Sequence, residues 1–346
     1  MIEIHRFDPH HATPAAWADL HAFRRQVAEE DSPGEPMLDD ADFEYNARHH
    51  WPLQQNHRIL ARCDGKIVGN LGFSVRREGT QDYDEFARFL GAWGGVLRAH
   101  RRRGIATALL HPLLAFMQDH GKTIVSFGTH VPDGHGFLAA IGAREHYRAI
   151  ENRMEFAGRD WNQLTTWQDA AIPVGSGLRW EVHAGRVPLD RLAALLPQLS
   201  ALLGDVPLGT LEVPPARYEM PRTLAWYEEL DRHGGEHWLV LLTDGDNVAA
   251  MCEASWDARF PDRVYQALTA VARPWRGKGL AKGIKAATLR LLRERHPELR
   301  LMITSNAEVN APMLAINQRL GFRVHQRSSG YQLGRDELAA WLATRG

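Results

Sequence analysis

The chain has 346 residues, of which 44% are hydrophobic and 24% are charged, and its 41 basic residues are balanced by 42 acidic ones. This length exceeds what one compact core usually holds, so two domains are expected, and a net charge of −1 offers no basic surface to a nucleic-acid backbone. Two cysteines, Cys63 and Cys252, are too few for a disulfide framework, and the longest apolar runs fall far short of the roughly 20 residues of a membrane span. We therefore expect a cytoplasmic protein that binds neither membranes nor nucleic acid.

The first half of the chain predicts alternating strands and helices. IEIHRF has a strand pattern, a helical period extends from Thr13 to Glu29, and RILARCDGKIVGNLGFSV contains two strands joined at Asp64-Gly65. ARFLGAWGGV predicts a strand that leads into an arginine- and glycine-containing loop and a helix. TIVSFGT then predicts a strand, and FLAAIGA a short helix that ends at a glycine cap.

The next segment, GRDWNQLTTWQDAAIPVGSG at residues 158–177, has no clean periodicity and predicts a linker. We therefore expect an N-terminal domain at 1–157 and a C-terminal domain at 178–346.

The second half repeats the order of the first. RWEVHAG predicts a strand, Leu189 to Leu203 and Thr223 to Arg232 predict helices, and HWLVLLTDGDNVAAMCEAS predicts a hairpin. VYQALTAV, a glycine loop and a helix follow, and then LRLMITS and MLAINQRLGF, a strand and a helix with a glycine end. Because V-L-R-A-H-R-R-R-G-I-A at Val96 matches V-A-R-P-W-R-G-K-G-L-A at Val271, half a chain length later, the pattern indicates an internal duplication.

The repeated loop has the features of a phosphate site. A strand that runs into a glycine loop and then a helix presents unpaired backbone N–H groups at the positive end of the helix dipole. Gly277 and Gly279 allow a close backbone approach, and nearby arginine and lysine side chains can add charge-assisted bonds. The patterns GxxxxGK[ST] and GxGxxG are both absent here, so the sequence favours a different phosphate-bearing cofactor. A solvated basic helix start is the alternative.

R/Q-x-x-G-x-G/A after such a strand resembles the acetyl-CoA signature of the GNAT superfamily of N-acetyltransferases. Arg276-Gly277-Lys278-Gly279-Leu280-Ala281 matches it in the second half. The resemblance implies that the cofactor is acetyl-CoA, with its pyrophosphate on this loop. The cofactor-binding residues it implies are Val271, Ala272, Arg273, Arg276, Gly277, Lys278, Gly279, Leu280, Ala281, Asn306 and Asn310, and in the first half Val96, Arg98, Arg101, Arg102, Arg103, Gly104, Ile105 and Ala106.

A second motif strengthens the resemblance. N-A-E-V-N-A-P-M-L-A-I-N-Q-R-L-G-F is similar to the family's later motif, with Asn310 at the position that binds the pantetheine arm. Two such domains in one chain resemble the tandem members of the family, among them mycothiol synthase. The fold implied is α/β (α+β), with two tandem GNAT-like domains. Each has a twisted, mixed, mostly antiparallel sheet flanked by helices, in which the fourth and fifth strands splay apart around the pantetheine chain.

Acetyl transfer to an amine requires a base, a donor for the developing oxyanion and a proton for the leaving thiolate. Glu253 and Tyr265 lie on strands expected to wall the cleft, and Glu253 is the better candidate because burial can bring the pKa of a carboxyl group towards neutrality. Backbone N–H groups near Ala270 to Arg273 are candidate oxyanion donors. Many relatives have a Tyr as general acid where this chain has Asn317, which could instead hold a water or the cofactor, or be a polar residue on a helix face.

The first half departs further from the family, because Val131 and Leu138 replace the Asn and Tyr positions. We expect the second half to be catalytic, and the first either to bind CoA without turnover or to complete the fold and the acceptor cleft. Aromatic and acidic residues from Tyr218 to Glu228 fall on the region that forms the acceptor wall in similar proteins. No metal site is expected.

The predicted function is therefore acetyl-CoA-dependent transfer of an acetyl group to the primary amine of a small molecule, by a monomer or homodimer. The alternative is a non-catalytic acyl-CoA-binding or regulatory module. A nucleic-acid-associated protein, suggested by the arginine run at 101–103, is disfavoured by the balanced charge.

Overall fold

The computed structural model of the chain describes residues 2–49, 51–80 and 82–345. The elements up to residue 157 are β1 (Ile2–Arg6), α1 (Pro14–Asp31), α2 (Asp40–Arg48), β2 (Gln54–Cys63), β3 (Lys66–Arg76), α3 (Tyr83–Phe86), β4 (Phe89–Val96), α4 (Ile105–Asp119), β5 (Ile124–Thr129), α5 (Pro132–Ala140) and β6 (Arg144–Glu155). Those that follow are α6 (Trp161–Asp169), β7 (Arg179–Ala184), α7 (Leu189–Gly204), α8 (Met220–Arg232), β8 (Glu236–Asp244), β9 (Asn247–Trp256), β10 (Arg263–Val271), α9 (Leu280–Arg295), β11 (Leu301–Ala307), α10 (Ala311–Leu320), β12 (Arg323–Gly334) and α11 (Arg335–Ala343).

The chain forms two compact units, each assembled from more than one segment. Unit 1 comprises residues 1–147, 210–214 and 329–346, and unit 2 comprises 148–209 and 215–328. Within unit 1 the strand order is β1-β2-β3-β4-β5-β12, and within unit 2 it is β6-β11-β10-β9-β8-β7. Each sheet is mixed, because β4 pairs with β5, and β10 with β11, in parallel. The other strand pairs within each unit are antiparallel.

The last strand of each unit comes from the opposite half of the sequence. In unit 1, Ser329–Gly334 of β12 pair antiparallel with Thr129–Ile124 of β5. In unit 2, Ala149–Glu155 of β6 pair antiparallel with Ala307–Leu301 of β11. The compact units therefore differ from the predicted bounds of 1–157 and 178–346. Strand pairing at the edge of each sheet decides which unit β6 and β12 join, and the periodicity of the sequence cannot reveal such pairing.

The predicted linker at 158–177 contains α6, which packs on α9. Leu164 and Ala171 are buried there, and the contact is so close that a Cβ on Gly283 would lie 2.3 Å from the Cβ of Ala171. The helix is nine residues long and only Leu164 is fully buried among its members, so its apolar pattern is too short to stand out from the surrounding polar residues.

Helices cover both faces of each sheet. In unit 1, α1 covers one face through Trp17, Leu20 and Phe23, whereas α4 and α11 contribute to the core on the other. In unit 2, the apolar stripe of α7 and part of α8 pack against Leu239, Leu241 and Met251, and α9 packs against the opposite side of the same strands. Because successive side chains of a strand point to opposite faces of the sheet, the side chains of β9 are divided between the α7–α8 side and the α9 side.

The parallel pair in each unit is short. Arg263–Gln266 of β10 pair with Leu301–Thr304 of β11, and beyond these positions β10 pairs only with β9. Phe89–Ala92 of β4 pair in the same way with Ile124–Phe127 of β5. The two strands therefore separate towards their carboxyl ends, which leaves backbone edges available between them, as the sequence analysis expected.

Deleting residues 329–346 should unfold unit 1 selectively. The deletion removes Tyr331, Leu333, Leu338 and Leu342 from its core. At about 1.5–3 kcal/mol per buried side chain, this loss approaches the 5–15 kcal/mol stability of an ordinary domain. Hydrogen exchange should show amides of α4 becoming unprotected, while deletion of 344–346 alone should change nothing. Full protection of α4 in the longer deletion would contradict the exchanged-strand arrangement.

Candidate active site

A β-bulge marks the point where β10 leaves β11. Ala254 lies opposite Gln266 and Cys252 opposite Thr269, so Glu253 faces two residues, Ala267 and Leu268. A bulge of this kind disrupts the ladder locally and leaves one residue unpaired. The irregular backbone therefore lies directly opposite the carboxylate that the sequence analysis proposed as base, and not at residues 270–273, where oxyanion donors were expected. Ala272 N–H in fact donates to Ala249 O.

The glycine loop of unit 2 is open. Gly277 and Gly279 have φ of 77° and 84°, in the left-handed region that glycine adopts without strain, and a Cβ built on either would meet no protein atom within 4 Å. Gly279 is the N-cap of α9. Within the described part of the chain, the N–H groups of residues 277–282 have no hydrogen-bond acceptor. This turn can therefore accept oxygen atoms of an anion.

Two arginines hold the loop in shape. Arg276 Nε donates to Val271 O at 3.0 Å, and its Nη2 donates to Asp205 Oδ2 at 2.6 Å. Arg273 donates to the other oxygen of Asp205 at 2.8 Å, and this hydrogen bond is the main cause of the lowered pKa of that carboxyl. Both arginines remain exposed. Arg276 thus fastens the loop to the end of β10 and is a positioning residue as much as a cation.

The loop of unit 1 has the same construction. Arg101 Nε donates to Val96 O at 2.9 Å, and Gly104 is the N-cap of α4 with a φ of 78°. Arg102 replaces the first glycine yet keeps a φ of 62°, which is unfavourable for a side-chain-bearing residue. More carboxylates bond to this loop: Glu30 accepts from the N–H of Arg98 at 2.7 Å, and Asp31 and Asp133 bind the Arg101 guanidinium.

The other predicted loop residues contribute in different ways. The side chains of Leu280 and Ile105 are buried in the cores, so only their backbone N–H groups can face a ligand. Lys278 is exposed, with Nζ 4.5 Å from the centre of the Trp275 ring. Ala272, Arg273, Trp275 and Lys278 line a cavity of about 750 Å³ beside the loop. The remaining predicted positions, Ala281, Arg103 and Ala106, lie in the same loops and first helical turns.

The three predicted asparagines lie at the end of β11 and along α10. Asn310 is the N-cap of α10, and its side chain accepts from Met313 N–H at 3.3 Å. Asn317 is 1% exposed and donates through Nδ2 to Asn306 Oδ1 at 2.6 Å, while its own Oδ1 is buried without a partner among the described residues. Asn317 therefore lies in the interior and is not a solvent-facing polar residue.

Glu253 belongs to a buried hydrogen-bond network. Its Oε2 accepts from Tyr218 Oη at 2.6 Å and its Oε1 bonds to His237 Nε2 at 3.1 Å. His237 Nδ1 lies 3.0 Å from Tyr227 Oη, and that oxygen accepts from Val187 N–H at 3.3 Å. Glu253 and His237 are 7% and 4% exposed. The candidate base is thus a shielded carboxylate with both oxygens engaged.

The two phenols of the network keep their protons. Tyr218 donates to Glu253, whereas the donor in each of the two contacts of His237 depends on the tautomer of its ring. Burial, followed by the charge of Glu253, raises the pKa of Tyr218 well above its usual value, and burial also raises the pKa of Tyr227. Both phenols therefore remain protonated at neutral pH.

Tyr265, the other candidate base, is 41% exposed and lies opposite Ser255 in the β9–β10 ladder. Because paired residues share a face and alternate residues return to it, Tyr265 is on the same face as Glu253, two positions along. His237 was not predicted as a site residue. A histidine and a glutamate on the two strands of one hairpin were the available signal.

A second buried cluster lies on the opposite face of the sheet. Lys285 of α9 is 1% exposed and donates through Nζ to Gln266 Oε1, and Gln266 Nε2 in turn lies 2.9 Å from Cys252 Sγ. Burial lowers the pKa of Lys285 to about 8. Since Gln266 is the last residue of β10 that pairs with β11, this ammonium lies beneath the point of strand separation and cannot reach a phosphate on the loop.

Comparison with known proteins identifies the fold. A model of the Acetyltransferase (GNAT) family matches residues 17–142 and 206–322. A tandem GNAT protein from the clavulanic acid biosynthesis pathway aligns with a TM-score of 0.73 and 21% identity, covering 97% of this chain and 99% of that one. A GCN5-related N-acetyltransferase from Sphaerobacter thermophilus aligns with a TM-score of 0.66 and 16% identity over 96% of both chains. No curated protein sequence matches.

The predicted fold, two tandem GNAT-like domains with mixed sheets, is confirmed by these matches. In the described residues, no helix is both long and apolar enough to cross a membrane. The same residues contain no group of three or more His, Cys, Asp or Glu side chains that could hold a metal ion.

Replacing Lys285 with Met should stabilise the protein at pH 7. The folded-state pKa of about 8 lies below the usual lysine value of 10.5. Between these two pH values the unfolded chain therefore keeps a proton that the folded chain has lost, and parent stability rises with pH. Below pH 8 the buried ammonium costs up to ~3 kcal/mol at 1.36 kcal/mol per pKa unit. Denaturant unfolding should show the advantage of Lys285→Met shrinking from pH 7 to pH 10, and an advantage independent of pH would contradict this.

Proposed function

This chain belongs to the acetyltransferase (GNAT) family, and we propose that it is an acetyl-CoA-dependent N-acetyltransferase that acetylates the primary amine of a small molecule at unit 2. One observation carries the proposal. In unit 2 an open glycine loop, a strand separation and a bulge opposite a buried carboxylate occur together. The loop suits a diphosphate, the separated strands suit the amide-bearing pantetheine chain, and the bulge lies where that chain would end.

Acetyl-CoA supplies the activated acyl group, and the protein must supply placement and proton transfer. The free N–H groups of residues 277–282 would hold the pyrophosphate, and Lys278 and Arg273 would add charge beside it. Asn306, near the end of β11, and Asn310, the N-cap of α10, would contact the pantetheine arm. Asn317 offers a carbonyl oxygen and no acidic proton, so we assign it to positioning, and the departing thiolate takes its proton from the reacting amine or from water.

Glu253 is the proposed base. The acceptor is an ammonium at neutral pH, since a free alkylamine has a pKa near 10.4, and it must lose a proton before it attacks the thioester carbon. The backbone N–H groups at Ala267 and Leu268 are the candidate donors to the oxyanion, because the bulge reorients them beside the carboxylate.

Unit 1 does not share this arrangement. The register of the β2–β3 hairpin shifts after Ala61, and that of the β8–β9 hairpin shifts after Leu242, so these two positions are equivalent. Counting along the partner strands from there, Gly72 of β3 corresponds to Glu253 of β9. Gly72 pairs in regular register with Trp93, whose ring lies 2.5 Å from where its Cβ would be. An indole therefore occupies the place of the carboxylate, and we propose that unit 1 does not catalyse transfer.

Gly279→Asp should abolish CoA binding. An Asp at the N-cap of α9 places a negative charge where the pyrophosphate would lie. The fold persists because the Cβ meets free space and Asp, like Asn, tolerates the left-handed φ of this position better than other residues do. Calorimetry should show at least a 100-fold weaker affinity for CoA, whereas Gly279→Asn, equal in size but neutral, should lose far less. Equal affinities of the Asp variant and the parent would refute the loop assignment.

The matched change Gly104→Asp shows whether the loop of unit 1 binds CoA.

Thiol release from acetyl-CoA with a panel of glucosamine, spermidine, lysine and histamine tests turnover of the parent. Tight CoA binding without any acetylated product would instead support the non-catalytic acyl-CoA-binding module.

A further inference from the structure

Tyr218 bonds directly to the candidate base and is less deeply buried than that base. Glu253 is 7% exposed, and each of its two oxygens has a hydrogen-bond partner, Tyr218 for one and His237 for the other. Tyr218 is partly buried and lies in the segment that leads into α8. Of the residues in the network, Tyr218 is therefore the one whose burial leaves it most open to an incoming amine.

We propose that Tyr218 is the residue that takes the proton from the acceptor amine, passing its own phenolic proton to Glu253 in the same step. This inference rests on the proposed function and adds a catalytic residue to it. In the step, an N–H bond of the ammonium breaks and an O–H bond forms on Tyr218, while the original O–H bond breaks and a new one forms on Glu253 Oε2. The amine becomes neutral, Tyr218 is unchanged and Glu253 becomes a carboxylic acid.

The phenolic oxygen has the capacity that this step needs. It donates its proton to Glu253 at 2.6 Å, and no donor to it lies among the residues that the structure describes. A phenol has acceptor lone pairs in addition to its proton, so one remains for an incoming N–H group. Glu253 is 7% exposed, so Tyr218 is the less deeply buried residue of the pair.

Titration of the phenol supports a relay over a simple phenolate base. Burial and the neighbouring Glu253 charge raise the pKa of Tyr218 well above its usual value. A tyrosinate is therefore not available at neutral pH, and Tyr218 can accept a proton only while it gives one away. The short hydrogen bond to Glu253 provides the route.

The far side of the network positions the base. Val187 N–H donates to Tyr227 Oη, the same oxygen bonds to His237 Nδ1, and His237 Nε2 bonds to Glu253 Oε1. The Arg186 guanidinium lies 5.7 Å from the centre of the Tyr227 ring. These groups fix one oxygen of Glu253 and leave the other for Tyr218. His237 and Tyr227 are thus positioning residues.

The test compares Tyr218→Phe, Glu253→Gln and the double variant in acetyl transfer to the most active amine of the panel, from pH 6 to pH 10. Each single variant should lower kcat/KM for the amine about 10²- to 10⁴-fold, the range of general-base catalysis, with CoA affinity unchanged. The double variant should be no worse than the more damaged single one, because both act in one step. The loss should shrink as the pH approaches the pKa of the amine. Tyr45→Phe, an exposed tyrosine of unit 1, is the matched control.

Acidifying the phenol without changing its shape separates catalysis from packing. With 3,5-difluorotyrosine at position 218, the pH profile of kcat/KM should move to lower pH, which a merely structural tyrosine would not cause. If the parent acetylates the amine and Tyr218→Phe keeps an activity within about threefold of the parent's, the relay is wrong and the proposed function stands. An unmoved difluorotyrosine profile or additive double-variant losses would contradict the relay in the same way. A parent that yields no product with any amine would overturn the proposed function and the relay together.

Discussion

The separation of β10 from β11 is the constraint on which the rest of unit 2 depends. The two strands pair over four residues and then part, and the bulge at Ala267 and Leu268 is where β10 turns away. The same bend aims the end of β10 into the glycine loop, where Arg276 ties the turn to Val271 O. Strand separation, irregular backbone and free loop amides thus lie along one stretch of β10 and the turn that follows it.

The two units show what duplication retains and what it loses. Both keep the short parallel pair, the left-handed glycine cap and the arginine bound to the last strand carbonyl. The common scaffold therefore builds the same strand, glycine loop and helix in either unit. The chemistry differs, because unit 1 pairs Gly72 with Trp93 where unit 2 has a carboxylate opposite a bulge. Loop geometry is a property of the backbone, whereas proton transfer depends on a few side chains.

Local signals predicted the local structure well. Glycines in left-handed conformations and the strand-loop-helix order located both loops, since these follow from short-range sterics. Long-range pairing was not predictable: the exchanged strands β6 and β12 carry ordinary strand patterns, and nothing in them names a partner. The hydrogen-bond network around Glu253 was not predicted, for a related reason. An irregularity between Leu242 and Thr243 shifts the hairpin register by one residue, and such a shift decides which side chains share a face.

The central claim is that the main-chain amides of residues 277–282 bind a diphosphate. Glycine-selective ¹⁵N labelling observes this directly, because Gly277 and Gly279 lie within the turn and Gly245 and Gly234 lie in other turns of unit 2. On titration with CoA, the account predicts large amide shifts at Gly277 and Gly279 and none at the other two glycines. Saturation with CoA that leaves both loop amides unmoved would contradict it.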